Sequence, residues 1–560
     1  MSIPIRHFGL DPLARATYPC AHPFVIRFGV TKPAFTQAST ILQGTVATII
    51  RRVSCVAHGA ESELTNLRVR KVKCDETKPA CVRCTSTGRK CDGYPTKLKP
   101  GLTWYRPSHL FLSIDHSTEG RALQFFCETA GPYLSGPLDS YFWTHLVLQF
   151  SNFEPAVRHS LVAISSLYED FHCNAKTANQ LQANTFALRH YNAAIENLRK
   201  LDNEPLILLV CILFVCIEIL QNNRDSAIQH SRHGVIILQR IGNVYPWTVE
   251  YLSPIFRRLS VFPLFFGNSS DSFPTLGGLD APIPTTFVSY AEAQYCMDAI
   301  ICRASRLIRH GDAYRIGKYA SRPVDPELLE HQRDLQETIE HWHASFQVLV
   351  EKLNLSESED TAYGNVMLRY RLARMWSRGT FEKDEVFYDD YIPDLTQVID
   401  RAIEHSPNMA GTDVSPPRPR FSFEVGALPF VVFAIIRCRD LRTRLRGLQY
   451  LRDCGPAREN MWQANRMYPV CKRLVEIEHD IVLGEDDQPV GEVAWDEKPS
   501  EVMRAKDFAT SPEPACREND DGSVVWGGLA NFAMRTADGR IWTRREFLPG
   551  PDPRRDKLEY

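Results

Sequence analysis

The sequence predicts a mainly α-helical protein in which a small, cysteine-rich basic unit is joined by a linker to a large all-helical domain. The basic unit is a window at 67–95 that contains four cysteines. A linker with lysines and prolines follows at 96–118, and helical periodicity dominates 119–482. An acidic segment and a short irregular or hairpin-containing C-terminal tail occupy 483–560. With 560 residues, the chain is long enough for several units.

Charge is unevenly distributed along the chain. Residues 67–99 contain ten Lys or Arg and three acids, a net charge of +7, whereas the formal charge of the whole chain is -2. The remaining residues therefore carry -9. A compact basic unit on an acidic body is typical of a protein that binds nucleic acid with one part only.

The cysteines of the basic unit have the spacing of metal ligands. Their pattern is C-x6-C-x2-C-x6-C, at Cys74, Cys81, Cys84 and Cys91. Thiolates separated by two residues face one metal ion from a turn, and tetrahedral zinc takes four sulfur ligands at about 2.3 Å. The sequence therefore predicts zinc as the cofactor, with these four cysteines as ligands.

Other cysteines lie singly in apolar helical stretches. Cys211 and Cys216 are examples, and we interpret them as reduced, buried thiols of an intracellular protein. The apolar run at 206–217 is shorter than the roughly twenty residues that span a bilayer. We therefore expect a core helix there and no membrane partner.

Three periodic stretches predict helices of the body. One begins after Pro155 and carries apolar residues up to Phe171, and a second runs from Leu181 to Leu198. The third, at 328–353, has a seven-residue apolar repeat that fits either a dimer seam, in a homodimer or a heterodimer, or the core of one bundle. We expect the bundle core.

The C-terminal region has two features. Residues 485–521 contain twelve acids and four bases, which fits an acidic activation segment or, in our preferred interpretation, a solvated linker. The stretch TADGRIWTRREF at 536–547 has an Asp-Gly turn and predicts one hairpin.

Catalytic patterns are weak throughout the sequence, so we predict that the protein is not an enzyme. The sequence has no G-x-S-x-G, P-loop or dinucleotide glycine motif. The aspartates of YDDYIPD, at 388–394, resemble a magnesium cluster but have no second motif, and we expect a solvated loop. A helical metal-dependent enzyme is the weakest alternative.

The stretch RVRKVKCDETKPACVRCTSTGRKCDGYP resembles the fungal zinc binuclear cluster, the Zn₂Cys₆ domain of fungal transcription factors. In that family, six thiolates with the pattern C-x2-C-x6-C-x6-C-x2-C-x6-C hold two zinc ions, and the first and fourth cysteines bridge both. The last four cysteines of the pattern fall on Cys74, Cys81, Cys84 and Cys91.

The first two cysteines of the family pattern are absent. Their positions hold Leu64 and Leu67. In the family arrangement, one zinc ion would keep two ligands and the other three, so a mononuclear site completed by Cys74 is one alternative. Replacement by Cys55 and His58 is another, although both lie nine residues too early.

The resemblance also implies which residues contact double-stranded DNA. A short helix of the family domain enters the major groove and reads a CGG triplet, where a basic side chain pairs with guanine. By position, Lys71 would read the base with Arg70 beside it, and Arg68 and Lys73 would contact phosphates.

Residues 1–66 show no sustained periodicity and no domain composition. We leave them unassigned, as disordered sequence or the product of an incorrect start or a retained intron. In the second case, an authentic product would carry a cysteine pair directly before RVRK.

The helical body resembles the fungal-specific regulatory domain that follows the zinc cluster in many such factors. The resemblance lies in FFCETAGPYLSGPLDSYFWTHLVLQFSNFEPAVRHSLVAISSLYE (125–169), ALRHYNAAIENL (187–198) and FVVFAIIRCRDLRTRLRGLQYL (430–451). It implies a nuclear regulator of RNA polymerase II transcription that acts on the transcription machinery, with a body that relays activation on binding a small molecule or a partner. The alternative is a family member that has lost DNA binding and acts as a helical protein-interaction module.

Overall fold

The computed structural model describes Ser86 and, with gaps, the chain from Ser117 onward. The described ranges are 117–136, 140–173, 181–266, 273, 274, 276, 282–354, 361–406, 421–511, 515–519 and 521–550. The described residues from Ser117 onward belong to one compact unit. This unit is mainly helical, as the sequence predicts, and it also contains small sheets in its C-terminal half.

The first half of this unit consists of helices. In chain order they are α1 (Ser117–Phe125), α2 (Gly131–Leu134), α3 (Val147–Ser151), α4 (Pro155–His172), α5 (Thr185–Leu198), α6 (Glu204–Leu220), α7 (Arg224–Ile241), α8 (Ser253–Leu259) and α9 (Phe262–Phe266). Short π-helical turns at Phe126–Ala130, Phe142–Leu146 and Thr248–Leu252 connect some of them.

Helix α6 is the centre of the first hydrophobic core. Asn203 caps its first turn by accepting a hydrogen bond from the Leu206 backbone N–H, and every residue from Pro205 to Leu220 is buried. Cys211 and Cys216 are among these residues, so the predicted core helix and its two buried thiols are confirmed. Helices α4 and α7 pack on α6.

The second half of the unit mixes helices and strands. Its helices are α10 (Tyr290–Arg315), α11 (Pro326–Leu353), α12 (Thr361–Gly379), α13 (Ile392–Glu404), α14 (Leu428–Arg437), α15 (Leu441–Gln449) and α16 (Ala464–His479). Its strands are β1 (Phe421–Ser422), β2 (Arg458–Glu459), β3 (Trp462–Gln463), β4 (Asp507–Thr510), β5 (Ala515–Glu518), β6 (Val524–Arg535) and β7 (Ile541–Pro549).

The chain returns to the first core after α13. Phe421, Phe423 and Met461 pack in the first core although their neighbours in sequence belong to the second core. Strand β1 pairs in parallel with β2, which pairs antiparallel with β3. The Tyr168 hydroxyl of α4 donates a 2.8 Å hydrogen bond to the carbonyl oxygen of Phe421, which fixes this return.

The three predicted helices exist, with one change of boundary. Pro155 occupies the first turn of α4 as predicted, and α11 contains the stretch 328–353 and begins at Pro326 after an Asp325 cap. Helix α5 begins at Thr185 rather than Leu181, because the Asn184 side chain accepts a hydrogen bond from the Ala187 N–H and caps the helix there.

The apolar stripe of α11 faces the interior. Leu335, Ile339, Trp342, Phe346 and Leu349 are at most 1% exposed and belong to the second core. This burial agrees with the bundle-core interpretation of the stripe. None of the helices in the described part of the chain is both long enough and apolar enough to cross a membrane.

The segment that we expected to be an acidic linker and a tail is integrated into the body. Asp487 is 2% exposed, accepts hydrogen bonds from Tyr468 and Lys472, and forms an ion pair with Arg452. Phe532 of β6 is fully buried in the second core. The solvated-linker interpretation is therefore wrong for Asp487, Arg504 and Lys506, which are buried and paired, whereas Glu492, Asp496 and Glu497 are exposed as that interpretation expects.

The stretch YDDYIPD is also not a solvated loop. It forms a 3₁₀-helix at Glu385–Tyr391 and the first turn of α13. Asp389 accepts two hydrogen bonds from the Arg504 guanidinium, at 2.8 and 2.9 Å. This aspartate therefore has a structural partner, and the loop prediction is wrong.

The predicted hairpin at 536–547 is confirmed within a larger sheet. Strands β6 and β7 pair antiparallel from Arg535–Ile541 to Gly527–Pro549, and Gly539 in the turn has a φ of +86°. That left-handed backbone favours glycine. Strands β4 and β5 also pair with β6, which the sequence did not predict.

A buried ion network joins the last helices. Glu478 of α16 is fully buried and lies 2.7 Å from Arg444 and 3.2 Å from Arg439, both of which have no exposed side-chain surface. Its carboxylate also accepts a 2.8 Å hydrogen bond from the Ala505 N–H. Burial alone raises a carboxyl pKa, but Arg439 and Arg444 outweigh it and hold the pKa of Glu478 below its usual value.

Replacing Glu478 with Gln should destabilise the body severely. The substitution keeps the shape of the side chain but leaves Arg444 without its carboxylate and Arg439 with Glu385 alone. Breaking a buried ion pair typically costs about 3–5 kcal/mol. Urea denaturation followed by circular dichroism measures the effect. The matched control is Asp496→Asn, which removes an exposed partner of Arg442 and should leave the denaturation midpoint unchanged. Equal midpoints for the two variants would contradict the role of Glu478.

Candidate functional site

The predicted metal ligands and DNA-contacting residues lie outside the described residues. This holds for Cys74, Cys81, Cys84 and Cys91, and for Arg68, Arg70, Lys71 and Lys73. Ser86, an exposed turn residue between the third and fourth of these cysteines, is described. The ligand set and the DNA contacts therefore remain predictions.

The donor set of this unit fits one zinc ion better than two. Four thiolates complete one tetrahedral zinc site, whereas the binuclear arrangement requires six thiolates with two shared. Leu64 and Leu67 have no donor atom. The cysteines at hand thus supply a full ligand set for a single metal ion.

The described body contains a cavity where its two cores meet. It has a volume of about 300 Å³. Tyr133 contributes to its wall from the first half of the unit, and Leu368, Arg401 and Tyr450 contribute from the second half. This volume is at the lower end of the range of ligand pockets in proteins.

Glu459 of β2 is the carboxylate in the cavity wall. It accepts hydrogen bonds from the backbone N–H groups of Gly426 and Leu428, both at 2.9 Å, and thereby caps the start of α14. Burial raises the pKa of Glu459 to about 7, and these backbone hydrogen bonds counteract the shift only in part. A Cβ atom at position 426 would lie 2.5 Å from Glu459 Oε1, so this approach requires glycine.

The cavity wall also has an unsatisfied donor. Asn365 lines the cavity, and its Nδ2 atom is buried with no hydrogen-bond partner among the described residues. A buried amide without a partner costs free energy that a ligand oxygen would recover. The wall therefore combines an apolar lining with a carboxylate and with a residue whose buried amide has no hydrogen-bond partner among the described residues.

A buried ion cluster connects the two sides near this cavity. Arg258 of α8 donates 2.7 Å hydrogen bonds to Glu424 and to Asp298 of α10. Glu424 lies two residues before Gly426 of the cavity wall. The cavity wall is thus fixed to the helices of both halves by ion pairs as well as by packing.

Sequence reasoning missed this cavity because its residues have no common spacing. Tyr133, Asn365 and Glu459 are separated by between 94 and 326 positions, and only the return of the chain through β1 and β2 brings them together. Glu459 in particular has no motif around it that distinguishes it from a surface glutamate.

Replacing Glu459 with Gln should change how stability depends on pH. The pKa of Glu459 is about 7 in the folded protein, against an ordinary value of 4.5. Its contribution to the free energy of unfolding is therefore fully present below pH 4.5 and is lost as the pH rises to about 7. The free energy of unfolding of the variant minus that of the wild type should therefore increase by about 3 kcal/mol across this window and stay level above it. Urea denaturation across this pH range measures the difference, with Glu196→Gln at an exposed position as control. A difference that does not vary with pH would contradict the assignment.

Comparison with known proteins places a family domain at the basic unit. Residues 68–101 match the family described as the fungal Zn(2)-Cys(6) binuclear cluster domain. Proteins with this domain bind zinc through it. The match begins at Arg68, directly after the two leucine positions.

Similar proteins are named as transcription regulators. The aspercryptin biosynthesis cluster-specific transcription regulator atnN of Emericella nidulans is 29% identical over 211 residues, which cover 30% of this chain and 33% of that protein. The transcription regulator lscL of Purpureocillium lilacinum is 27% identical over 197 residues, covering 30% of this chain and 47% of the relative. The transcriptional regulatory protein moc3 of Schizosaccharomyces pombe is 64% identical over 28 residues, covering 5% and 6%.

These matches span less than half the length of the relatives. No solved structure is similar to the chain. The resemblance seen from Arg68 onward is nevertheless confirmed: residues 68–101 match the fungal Zn(2)-Cys(6) binuclear cluster domain, which binds zinc in its family.

Proposed function

We propose that the chain is a nuclear, zinc-dependent regulator of RNA polymerase II transcription that binds double-stranded DNA at CGG-containing sites and acts on the transcription machinery. The observation that carries the proposal is that the family domain at 68–101 coincides with the most basic part of the chain. The names of its relatives support the same class of function.

In this proposal, the basic residues before Cys74 have two different roles in binding DNA. Lys71, with Arg70 beside it, donates hydrogen bonds to guanine O6 and N7 in the major groove. Arg68 and Lys73 neutralise phosphates and so position the domain without reading sequence. Zinc held by Cys74, Cys81, Cys84 and Cys91 fixes the turns between these cysteines.

The helical body would restrain or relay activation. The cavity supports this role because a ligand in it would contact both halves of the body at once. Its largely apolar lining, with the carboxylate of Glu459 in the wall, suits a small molecule of mixed polarity. Because residues of both halves form the cavity wall, a bound molecule can change how one half packs against the other.

Two substitutions in the full chain distinguish base reading from phosphate contact. Lys71→Ala should reduce the preference for CGG-containing duplex over a scrambled duplex by about 1–3 kcal/mol, because it removes a base contact. Arg68→Ala should weaken binding to both duplexes equally and lower the slope of log affinity against log salt by about one. Fluorescence anisotropy at several salt concentrations measures both effects.

The matched control for this experiment is Arg442→Ala, an exposed arginine of the helical body, which should leave both affinities unchanged. Retention of the full CGG preference by Lys71→Ala would refute the proposed reading residue. Failure of the wild-type chain to prefer CGG would refute the specificity itself.

The main alternative is a helical interaction module that has lost DNA binding. Leu64 and Leu67 in place of the first two family cysteines favour it. Under this alternative, the chain acts through its body, for instance by pairing with an intact factor. A turnover reaction is the third and weakest reading, and none of the comparisons supports it.

The double substitution Leu64→Cys and Leu67→Cys separates these readings. If the rest of the DNA-reading unit is sound, it should raise bound zinc by one equivalent and strengthen binding to CGG-containing duplex. Native mass spectrometry of the full chain gives the zinc content, and anisotropy gives the affinity. The pair Leu64→Ser and Leu67→Ser is the control, since serine resembles cysteine in shape but has no thiolate. A doubly substituted chain that gains zinc and still does not bind CGG duplex would favour the interaction module.

A further inference from the structure

We propose that Glu119, His159 and His190 form a second metal site, for a divalent transition-metal ion such as zinc, within the first helices of the body. One donor atom from each of these side chains lies within 4.8 Å of the other two. This site is separate from the cysteine unit and does not depend on the proposed DNA binding.

The three side chains come from three different helices. Glu119 lies in the first turn of α1, His159 near the start of α4, and His190 in α5. The Nδ1 atoms of the two histidines are 3.0 Å apart, and His190 Nε2 is 3.9 Å from a Glu119 oxygen. Their convergence is a tertiary arrangement that no sequence spacing signals.

The distances suit a shared metal ion. Zinc binds imidazole nitrogen and carboxylate oxygen at about 2.0–2.2 Å, so two ligands of one tetrahedral ion lie about 3.4 Å apart. In the structure His190 faces His159 through Nδ1 and Glu119 through Nε2. Since one imidazole gives a single nitrogen to one ion, the side chains rotate from donor atoms that lie within 4.8 Å of one another to the shorter spacing of bound ligands. Two imidazoles with one carboxylate favour zinc, cobalt or nickel over calcium or magnesium, and three protein ligands leave one position for water.

The surroundings hold these ligands in place. Asn184 caps α5 and donates hydrogen bonds to Asp170, at 2.7 Å, and to Ser166, at 3.0 Å, both on α4. The Arg121 side chain of α1 forms an ion pair with Glu169 of α4. Phe186 packs on the His190 ring with centroids 4.6 Å apart. The three helices are therefore already cross-linked, which reduces the entropy lost when the metal binds.

The site would act as a clasp at the start of the body. It ties α1, the first described helix after the linker region, to α4 and α5, which pack on each other. Because a metal that binds only the folded arrangement stabilises it, the ion should raise the unfolding midpoint of the body. Three protein ligands with one water form an open zinc site, so the expected contribution of the ion is this stabilisation of the three helices rather than a closed structural centre.

Metal content and cobalt absorption of the full chain test the site. His159→Ala and Glu119→Gln should each lower bound zinc by one equivalent relative to wild type. With cobalt as the probe, wild type should show visible d–d bands from a nitrogen and oxygen site in addition to thiolate-to-cobalt charge transfer from the cysteine unit. The two variants should lose the first signal and keep the second, so the outcome does not depend on whether the cysteine unit binds DNA.

His343→Ala is the matched control, because His343 is also half-buried on a helix and stacks on Tyr370. It should keep the wild-type metal content and cobalt spectrum. Circular dichroism checks that each variant is folded. If His159→Ala unfolds, Glu119→Gln still tests the site, because glutamine has nearly the same shape as glutamate. Equal metal content in wild type and both site variants, or the same loss in His343→Ala, would overturn the proposal.

Discussion

The charge balance around Glu478 is the interaction on which the second half of the body depends. Arg439 and Arg444 have no exposed surface, so water cannot compensate for the loss of their carboxylate. Glu385, also fully buried, meets Arg437 at 2.6 Å and Arg439 at 3.3 Å. Both acids have a pKa below the usual value, because the arginines outweigh the effect of burial. Through this network α14, α15 and α16 are fixed to each other and to the chain at Ala505 that leads into β4.

The network explains why the acidic C-terminal sequence is ordered rather than a solvated tail. Arg504 and Lys506 are each 2% exposed and meet Asp389 and Glu501, respectively. Arg504 connects the acidic segment to Asp389 of the helical body, whereas Lys506 pairs with Glu501 inside the segment and accepts a hydrogen bond from Arg437 through its backbone carbonyl. Charge composition alone does not distinguish a solvated segment from one whose charges are paired, because both have the same residues.

The cavity follows from the same architecture. The return of the chain through Phe421 and Phe423 to the first hydrophobic core adds to the links that join the two cores, such as the ion pair between Arg258 and Asp298. That return places Glu459 beside Gly426 and beneath the start of α14, where the carboxylate replaces missing helical hydrogen bonds. The carboxylate is buried as a result, which accounts for the raised pKa that the Glu459→Gln experiment tests. The metal site proposed at Glu119, His159 and His190 lies in the first half of the body, which contains the first hydrophobic core.

The sequence by itself determined the class of the protein and its local structure. The zinc-cluster domain was identified from the cysteine spacing between Cys74 and Cys91 and from the basic residues before Cys74. This was possible because the predicted metal ligands are close in sequence. Helices α4 and α11 and the hairpin of β6 and β7 were predictable for the same reason, since Pro155, Asp325 and the Asp-Gly turn act on their immediate neighbours. Tertiary structure alone decided the partners of buried charges, the cavity at Glu459 and the convergence of Glu119, His159 and His190. Each of these brings together residues that are tens to hundreds of positions apart, and the contacts depend on how helices pack rather than on any pattern along the chain.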